Sequence, residues 1–267
     1  MNIVVCIKQV PASTHVKMDP VTHTMIRDGA GTTINPYDLH ALEAALDLRD
    51  RYGGRVTAIT MGPPQAESVL KKAIGMTADE GVLVCGREFA GADTLATSYT
   101  LSCAVRSVGG EETVDLVICG KLAVDGDTAQ VGPGLSEWLG MSLVCNVVGI
   151  EGVEEGRITL RRKAAGGVET VRVALPAVLT VEKELNEPRI ESIRGRLRAA
   201  SWSSRVLGAA DIGCDPSRIG LKGSPTSVCK VFVPSRETTG NEMIEGANAD
   251  EKAGRLADVL RTAQIIV

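Results

Sequence analysis

The first 120 residues alternate between short apolar runs and segments with helical periodicity. Strands are predicted at 2–7, 55–60, 81–85 and 114–119. Helices are predicted to begin at Asn35-Pro36, at residues 62–64 and at Asp93-Thr94. Because a connection long enough to hold a helix is typical of parallel strands, the alternation predicts a Rossmann-like parallel sheet with helices on both faces.

The pattern changes after residue 143. Four further strands are predicted at 143–150, 157–163, 168–174 and 177–181, separated by glycine-rich turns. We interpret them as an antiparallel extension of the sheet. The last third is poorly apolar, with a short strand predicted at 228–233 and an amphipathic helix at 251–263. Leu256, Val259 and Leu260 share one face of that helix, which predicts an arm that packs on a partner.

Composition narrows the class of protein. Hydrophobic residues make up 44% of the chain but aromatic residues only 3%, so aliphatic side chains must fill the core, as in parallel α/β proteins. A formal net charge of −4 gives no support for nucleic-acid binding. No apolar run reaches the roughly 20 residues of a membrane span and no signal peptide is evident, so we expect a cytoplasmic protein that is not integral to a membrane.

Cysteine and histidine give no sign of a metal centre. None of the seven cysteines forms a C-x-x-C pair, and the three histidines have no ligand spacing. Five cysteines lie in apolar strand-like runs, which is typical of buried thiols in a reducing compartment.

The segment 120–134 (GKLAVDGDTAQVGPG) links the fourth predicted strand to a helix. A strand, a glycine-rich turn and a helix together present backbone N–H groups to an anion. Asp125 and Asp127 would repel a phosphate, so we interpret them as acceptors for ribose hydroxyls or for loop N–H groups, or as caps of the helix together with Thr128. The segment is neither a Walker A loop nor G-x-G-x-x-G, and an ordinary strand–helix turn remains open.

The candidate loops share one edge of the predicted sheet. Residues 8–10, 61–64, 86–97 and 120–132 each follow the carboxyl end of a strand. Ligands of open α/β sheets bind at that edge, so four loops there predict a binding site more strongly than any single motif.

Six segments carry a family likeness: Ile7-Lys8-Gln9-Val10-Pro11, Ile34-Asn35-Pro36-Tyr37, Met61-Gly62-Pro63, residues 120–132, Leu175-Pro176-Ala177-Val178 and Leu185-Asn186-Glu187-Pro188-Arg189. With these in order along nearly its whole length, the chain resembles the beta subunit of electron-transfer flavoproteins. The resemblance implies an alpha subunit that carries FAD. It also implies that the beta subunit itself holds either a structural AMP or, in electron-bifurcating members, a second FAD.

The resemblance also assigns residues. The nucleotide contacts carried over by position are Cys6, Lys8, Asn35, Met61, Gly62, Gly120, Val124, Asp125, Gly126, Asp127, Thr128, Ala129, Gln130 and Val131. The partner-recognition segment is Leu185, Asn186, Glu187, Pro188 and Arg189, with Ile193 as its apolar anchor for an acyl-CoA dehydrogenase-type partner. Leu122 stands where the family often has glutamine, and 199–204 lacks the lysines of members that serve mitochondrial-type dehydrogenases.

Two stretches, 16–27 and 91–98, resemble the bifurcating members. In the second, a helix start of small residues leaves room for a flavin, and Asp93, Thr94 and Thr97 could bond its ring or NADH. A plain Asp-Thr helix cap is the alternative. The domain division expected is a nucleotide-binding domain at 1–184, the recognition loop at 185–204 and a C-terminal arm at 205–267 that wraps the partner subunit.

The function implied is electron transfer as part of a complex. NADH would reduce the beta-subunit FAD, with one electron passing to ferredoxin or flavodoxin and one through the alpha subunit to an acyl-CoA-type dehydrogenase. A non-bifurcating member with AMP, a nucleotide-binding sensor without a redox role, and a self-sufficient dehydrogenase are the alternatives. No catalytic acid–base pair is evident for the last. Tyr37 is interpreted as facing the alpha-subunit flavin or as packing, and Trp202 as a partner contact or an anchor on the alpha subunit.

Overall fold

The computed structural model describes residues 1–12, 17–18, 25–26, 31–110, 113–229 and 243–266. The chain forms two compact units, Met1–Cys229 and Lys230–Val267. The strands are β1 (Asn2–Cys6), β2 (Gln9–Pro11), β3 (Lys17–Met18), β4 (Met25–Ile26), β5 (Thr32–Ile34), β6 (Arg55–Met61), β7 (Glu80–Val84), β8 (Leu116–Gly120), β9 (Ser142–Glu154), β10 (Arg157–Ala164), β11 (Gly167–Ala174), β12 (Ala177–Val181) and β13 (Arg205–Leu207). The helices are α1 (Pro36–Tyr52), α2 (Glu67–Gly75), α3 (Thr94–Gly109), α4 (Val131–Leu139), α5 (Ile193–Ser201) and α6 (Ala249–Thr262).

Within the described residues, the central sheet has nine strands in the order β11-β10-β9-β12-β8-β1-β6-β7-β13. In this order, every neighbouring pair of strands from β9 to β13 is parallel. Helices cover both faces, which confirms the predicted Rossmann-like α/β fold. Two small two-stranded pairings, β2 with β5 and β3 with β4, lie outside this sheet.

The antiparallel prediction for the second half is confirmed for part of that region and wrong for one strand. β10 pairs antiparallel with β9 and with β11. β12 instead lies between β8 and β9 and is parallel to both. Every residue of β12 is buried, and an uninterrupted apolar strand is typical of the interior of a parallel sheet rather than of a half-exposed hairpin.

The sheet separates two hydrophobic cores. Ile3 and Val5 face the core covered by α1 and α2, whereas Val4 and Cys6 face the core covered by α3 and α4. This alternation follows from the two-residue period of a strand. Trp202 packs against the first of these cores, close above Gly81. The ring therefore anchors the end of α5 on the chain's own sheet, although Trp202 stays partly exposed. Its interpretation as a partner contact or as an anchor on the alpha subunit stays a prediction.

The order of the strands creates a crevice. From β1 the chain proceeds to β6 and β7 on one side, then crosses to β8 on the other side of β1. Ligands of open α/β sheets bind where the direction of strand addition reverses, outside the carboxyl ends of the strands. The loops that follow β1 and β8, beginning at Ile7 and Lys121, therefore border the switch point.

Two sequence predictions fall partly outside the described residues. Of the strand predicted at 228–233, Val228 and Cys229 have no regular structure and the rest is not described. Of the stretch 16–27, only β3 and β4 are described. None of the described helices combines the length and the apolar character needed to cross a membrane.

The second unit contains α6. Asn248 caps this helix by accepting a hydrogen bond from the N–H of Glu251 at 2.9 Å. Leu256 and Val259 are exposed, so within its own unit the helix leaves apolar side chains uncovered.

Candidate functional site

A cavity of about 820 Å³ occupies the switch point of the sheet. Thirteen of the residues predicted to bind a nucleotide line it: Cys6, Lys8, Met61, Asp93, Thr94, Thr97, Gly120, Gly126, Asp127, Thr128, Ala129, Gln130 and Val131. Its walls come from the carboxyl ends of three strands and from the starts of α3 and α4. Four predicted residues, Asn35, Gly62, Val124 and Asp125, are not among the lining residues.

Asn35 shapes the cavity without lining it. Its side-chain amide donates to the carbonyl of Leu122 at 2.8 Å and accepts from the N–H of Val124 at 3.1 Å. The side chain is fully buried, and both of its polar ends are used by the loop. Asn35 precedes α1, but its side chain makes no cap hydrogen bond there. It holds the loop 120–130 in place instead.

Asp38, which the sequence analysis did not single out, ties the two central strands together. Its carboxylate accepts from the N–H of Lys8 at 2.8 Å and from the N–H of Gly120 at 3.2 Å. Lys8 follows β1 and Gly120 ends β8, so one buried side chain fixes the backbone on both sides of the crevice. Burial raises the pKa of Asp38 to about 7, although the hydrogen bonds that it accepts act in the opposite direction.

The backbone of the loop before α4 is suited to an anion. Asp127 and Ala129 have positive φ angles of 52° and 55°, and the N–H groups of Gly126 and Asp127 bond the carbonyl of Ala123 at 3.1 and 2.8 Å. Both of these N–H groups are used inside the turn, which leaves the N–H groups at the start of α4 to bind an anion. The first N–H groups of α4 add the positive end of a helix dipole to the same wall.

The aspartates and threonine of this loop do not cap α4. The cap position is Gln130, and its side chain makes no cap hydrogen bond. Among the described residues, no hydrogen bond joins Asp125, Asp127 or Thr128 to the first turn of α4. Asp125 forms an ion pair with Lys8 at 2.8 Å, which reduces the repulsion that its carboxylate would exert on a phosphate. The sequence-based option that Asp125, Asp127 and Thr128 cap the helix is therefore wrong.

The start of α3 forms the opposite wall. Asp93 caps the helix by accepting from the N–H groups of Leu95 and Ala96 at 3.0 and 3.1 Å, as predicted. The Thr94 hydroxyl donates to the side-chain oxygen of Gln130 at 2.8 Å. One hydrogen bond therefore joins the first turn of α3 to the start of α4, and the two helix N-termini open onto the same cavity.

A segment far along the chain closes the side of the cavity near α3. Asp93 accepts from the N–H and from the hydroxyl of Thr226 at 3.1 and 2.8 Å, and Ser224 accepts from the N–H of Asp93 at 2.8 Å. Partial burial acts to raise the pKa of Asp93, but hydrogen bonds from the first turn of α3 and from Thr226 outweigh it and hold the pKa below its usual value. Pro225 and Val228 also line the cavity.

The cavity combines polar and apolar walls. Met61, Phe89 and Leu101 contribute apolar surface, while the two helix N-termini and Lys8 contribute positive potential. A site of this kind can hold an anionic group at the helix ends and an aromatic ring against the apolar wall. Phe89, Leu101 and Thr226 escaped the sequence analysis because no local motif marks them.

The predicted recognition segment is fastened to α1. Asn186 bonds His40, and the guanidinium of Arg189 binds Glu43 through several contacts of 2.9 to 3.1 Å and also Asp50. Ile193, in contrast, is 81% exposed, so it is not a core residue. The same surface exposes Ile190 and Leu197.

Tyr37 lies at the first turn of α1, beside the loop that follows β8. The ammonium group of Lys183 lies 4.6 Å from the centre of its ring. This contact is of the cation–π type, so the ring has a partner within the chain itself.

Comparisons with known proteins agree with this geometry. Residues 22–208 match the electron transfer flavoprotein domain. Protein FixA of Azotobacter vinelandii is 45% identical over 94% of this chain and 91% of its own. Two proteins are 43% identical over the full length of both chains: electron transfer flavoprotein subunit beta of Thermoanaerobacterium thermosaccharolyticum, and the caffeyl-CoA reductase-Etf complex subunit CarD of Acetobacterium woodii.

Proposed function

The chain belongs to the electron transfer flavoprotein family as a beta subunit, and from that premise we propose that it is the FAD-binding beta subunit of a bifurcating complex. Membership supports a role in electron transfer together with an alpha subunit. The finer elements of the proposal are FAD in the beta-subunit cavity, NADH as donor, and two classes of acceptor.

The size of the cavity, and the two helix N-termini that open onto it, favour FAD over AMP. Its volume of about 820 Å³ lies in the upper part of the range of about 300–1,000 Å³ for ligand pockets. It extends from the loop at Gly126 to the start of α3 at Thr94. A structural AMP has a single phosphate and could use only one of the two helix N-termini, whereas a dinucleotide can use both of them and the apolar wall.

When bound, FAD supplies hydride acceptance from NADH and division of the electron pair between ferredoxin or flavodoxin and, through the alpha-subunit FAD, an acyl-CoA-type dehydrogenase. The protein contributes binding and orientation. Asn35 and Asp38 fix the loops around the switch point, and the Thr94–Gln130 hydrogen bond holds the two helix ends together. Thr97 lines the cavity together with Thr94.

The name of one relative and the exposed side chain of Ile193 support the proposed dehydrogenase partner. CarD is named as a subunit of a caffeyl-CoA reductase-Etf complex, which favours a partner that acts on acyl-CoA compounds. We propose that Ile193 anchors such a partner and that Arg189 holds the segment 185–189 on α1. Of the arm predicted at 205–267, β13 pairs with β7 in the chain's own sheet, so we propose that the part that carries α6 packs on the alpha subunit. We also propose that the complex acts in the cytoplasm.

The stoichiometry of bound nucleotide tests the proposal. The chain would be produced together with its alpha subunit and reconstituted with FAD, and the nucleotides would be released by acid and separated by chromatography. We expect two FAD per heterodimer. One FAD and one AMP would contradict bifurcation and favour the non-bifurcating alternative, while a complex without flavin would contradict the redox role.

A pair of variants locates the second FAD. Asn35→Ala removes two hydrogen bonds from the loop, each worth about 0.5–1.5 kcal/mol, so the beta-subunit FAD should bind about tenfold more weakly or be lost. Asn186→Ala is the matched control, because this half-buried amide bonds His40 instead of the loop. Equal FAD content in both variants would show that the loop is not the binding site.

A further inference from the structure

Two thiols meet on the wall of the cavity. Cys6 ends β1 and Cys119 lies next to the end of β8, and the two residues are direct partners in the parallel pairing of these strands. Both belong to the same hydrophobic core, so their side chains point to the same face of the sheet. Both also line the cavity, although they are only 8% and 5% exposed.

The spacing permits a covalent link. Neighbouring strands of a sheet lie about 4.8 Å apart, and the Cα atoms of disulfide-bonded cysteines are usually about 4.4–6.8 Å apart. Cys6 lies close enough to Cys119 to raise the pKa of its thiol. The strand register therefore places the two residues within the range of Cα separations at which disulfides form.

We propose that Cys6 and Cys119 form an oxidisable dithiol that closes to an intramolecular disulfide when a peroxide enters the ligand-free cavity. In the first step, the Cys6 sulfur attacks the peroxide and becomes a sulfenic acid, with release of one water from hydrogen peroxide. In the second, Cys119 attacks that sulfur and loses its proton, the S–S bond forms and a second water leaves. The sum is two thiols and one peroxide giving one disulfide and two waters.

The roles of the two thiols differ because their surroundings differ. The neighbouring Cys6 thiol, burial and the carboxylate of Asp38 hold the pKa of Cys119 well above its ordinary value. Cys119 therefore stays protonated and serves as the second, resolving thiol, and Cys6, the more exposed of the two, reacts first.

The cavity gives the reaction its selectivity. A peroxide reaches the pair through the cavity, so a ligand seated there should exclude it; this part of the inference depends on the proposed nucleotide site. A second thiol pair, Cys103 and Cys214, does not line the cavity, and burial raises the pKa of Cys214 to about 12. That pair provides an internal comparison within the same chain.

The test uses the full chain, freed of ligand, with Cys229→Ser to remove an exposed thiol that would link chains. After hydrogen peroxide, free thiols are alkylated in denaturant and disulfide-linked peptides are identified by mass spectrometry. We expect a Cys6–Cys119 link that dithiothreitol reverses. Cys6→Ser and Cys119→Ser should each abolish it, whereas Cys145→Ser, the matched control, should leave it intact.

Recovery of Cys6 and Cys119 as alkylated thiols, under conditions that oxidise Cys103 and Cys214, would overturn the inference. The peptide mapping is done on the chain that keeps both Cys6 and Cys119, so it gives an answer even if a serine variant does not fold. Saturating FAD should slow the link at least tenfold. A link that forms equally fast with and without FAD and AMP would support the dithiol while contradicting the proposed nucleotide site.

Discussion

Asn35 and Asp38 show how two neighbouring residues at one helix start divide the work of building a site. Asn35 bonds the loop after β8 at Leu122 and Val124, while Asp38 bonds the backbone beyond β1 and at the end of β8. Neither contact is a helix cap. Burial of the Asp38 carboxylate costs more free energy than burial of the Asn35 amide, because the carboxylate lies beside a cavity and is not paired with a buried cation.

The pH dependence of stability tests the state of Asp38. Its pKa is about 7 in the folded chain against an ordinary value of 3.8, so the folded state binds the proton more tightly. This contribution to the free energy of unfolding is fully present below about pH 4 and is lost as pH rises through about 7. Relative to Asp38→Asn, the free energy of unfolding of the wild type should fall by on the order of 4 kcal/mol between about pH 4 and 7, because one pKa unit corresponds to about 1.4 kcal/mol.

Denaturant unfolding at pH 4.5, 6 and 8 measures this difference. The wild-type free energy of unfolding should decline towards that of Asp38→Asn, or below it, as pH rises. Curves that run parallel for the two proteins would mean that Asp38 is ionised throughout.

At the scale of elements, α1 links the cavity to the recognition segment. Its first turn carries Asp38 at the crevice, and its later turns carry His40 and Glu43, which bond Asn186 and Arg189. The recognition segment is therefore fixed to the same helix that fixes the switch point. Past Arg189 the chain turns outward and presents Ile193 at the start of α5, capped by Ser192.

Ile193→Ala tests whether this exposed side chain docks a partner. Loss of an apolar anchor should weaken docking by about 1–3 kcal/mol, so electron delivery to the dehydrogenase should slow while NADH reduction of the bound flavin is unchanged. Val168→Ala is the matched control, because Val168 is also exposed but lies on β11 at the far end of the sheet.

Stopped-flow reduction by NADH and steady-state transfer to the dehydrogenase separate the two steps. An equal loss in both assays, or the same slowing in Val168→Ala, would remove Ile193 from the docking surface. Unfolding temperature should not change in either variant, because neither side chain is buried.

At the scale of the whole molecule, the chain divides its tasks between two units. The unit Met1–Cys229 contains the sheet, both cores and the cavity. The unit Lys230–Val267 contains α6, an amphipathic helix with no buried residue. A helix whose apolar side chains are uncovered is poorly stabilised by propensity alone, which supports the proposal that the alpha subunit covers it.

Charges placed on the apolar side of α6 test that proposal. Leu256→Glu and Val259→Glu together should abolish or strongly weaken association with the alpha subunit, measured by size-exclusion chromatography of the mixed subunits. The melting temperature of the chain alone should stay the same. Asp258→Lys, which changes an exposed polar position of the same helix, is the control, and loss of association in that variant alone would contradict the assignment of the face.

The sequence by itself determined the class of fold, because strand and helix periodicities record which face of each element is buried. It also determined where the loops meet, since the carboxyl ends of parallel strands lie at one edge; the glycine-rich loop and the Asp93 cap were found in this way.

Local patterns hold no information about partners distant in the chain. The Asp38–Gly120 and Asp93–Thr226 hydrogen bonds span 82 and 133 positions, and the pairing of Cys6 with Cys119 depends on strand order. Likewise, only tertiary packing could place β12 between β8 and β9 and pack Trp202 against the core, because an apolar segment is compatible with any surface that excludes water.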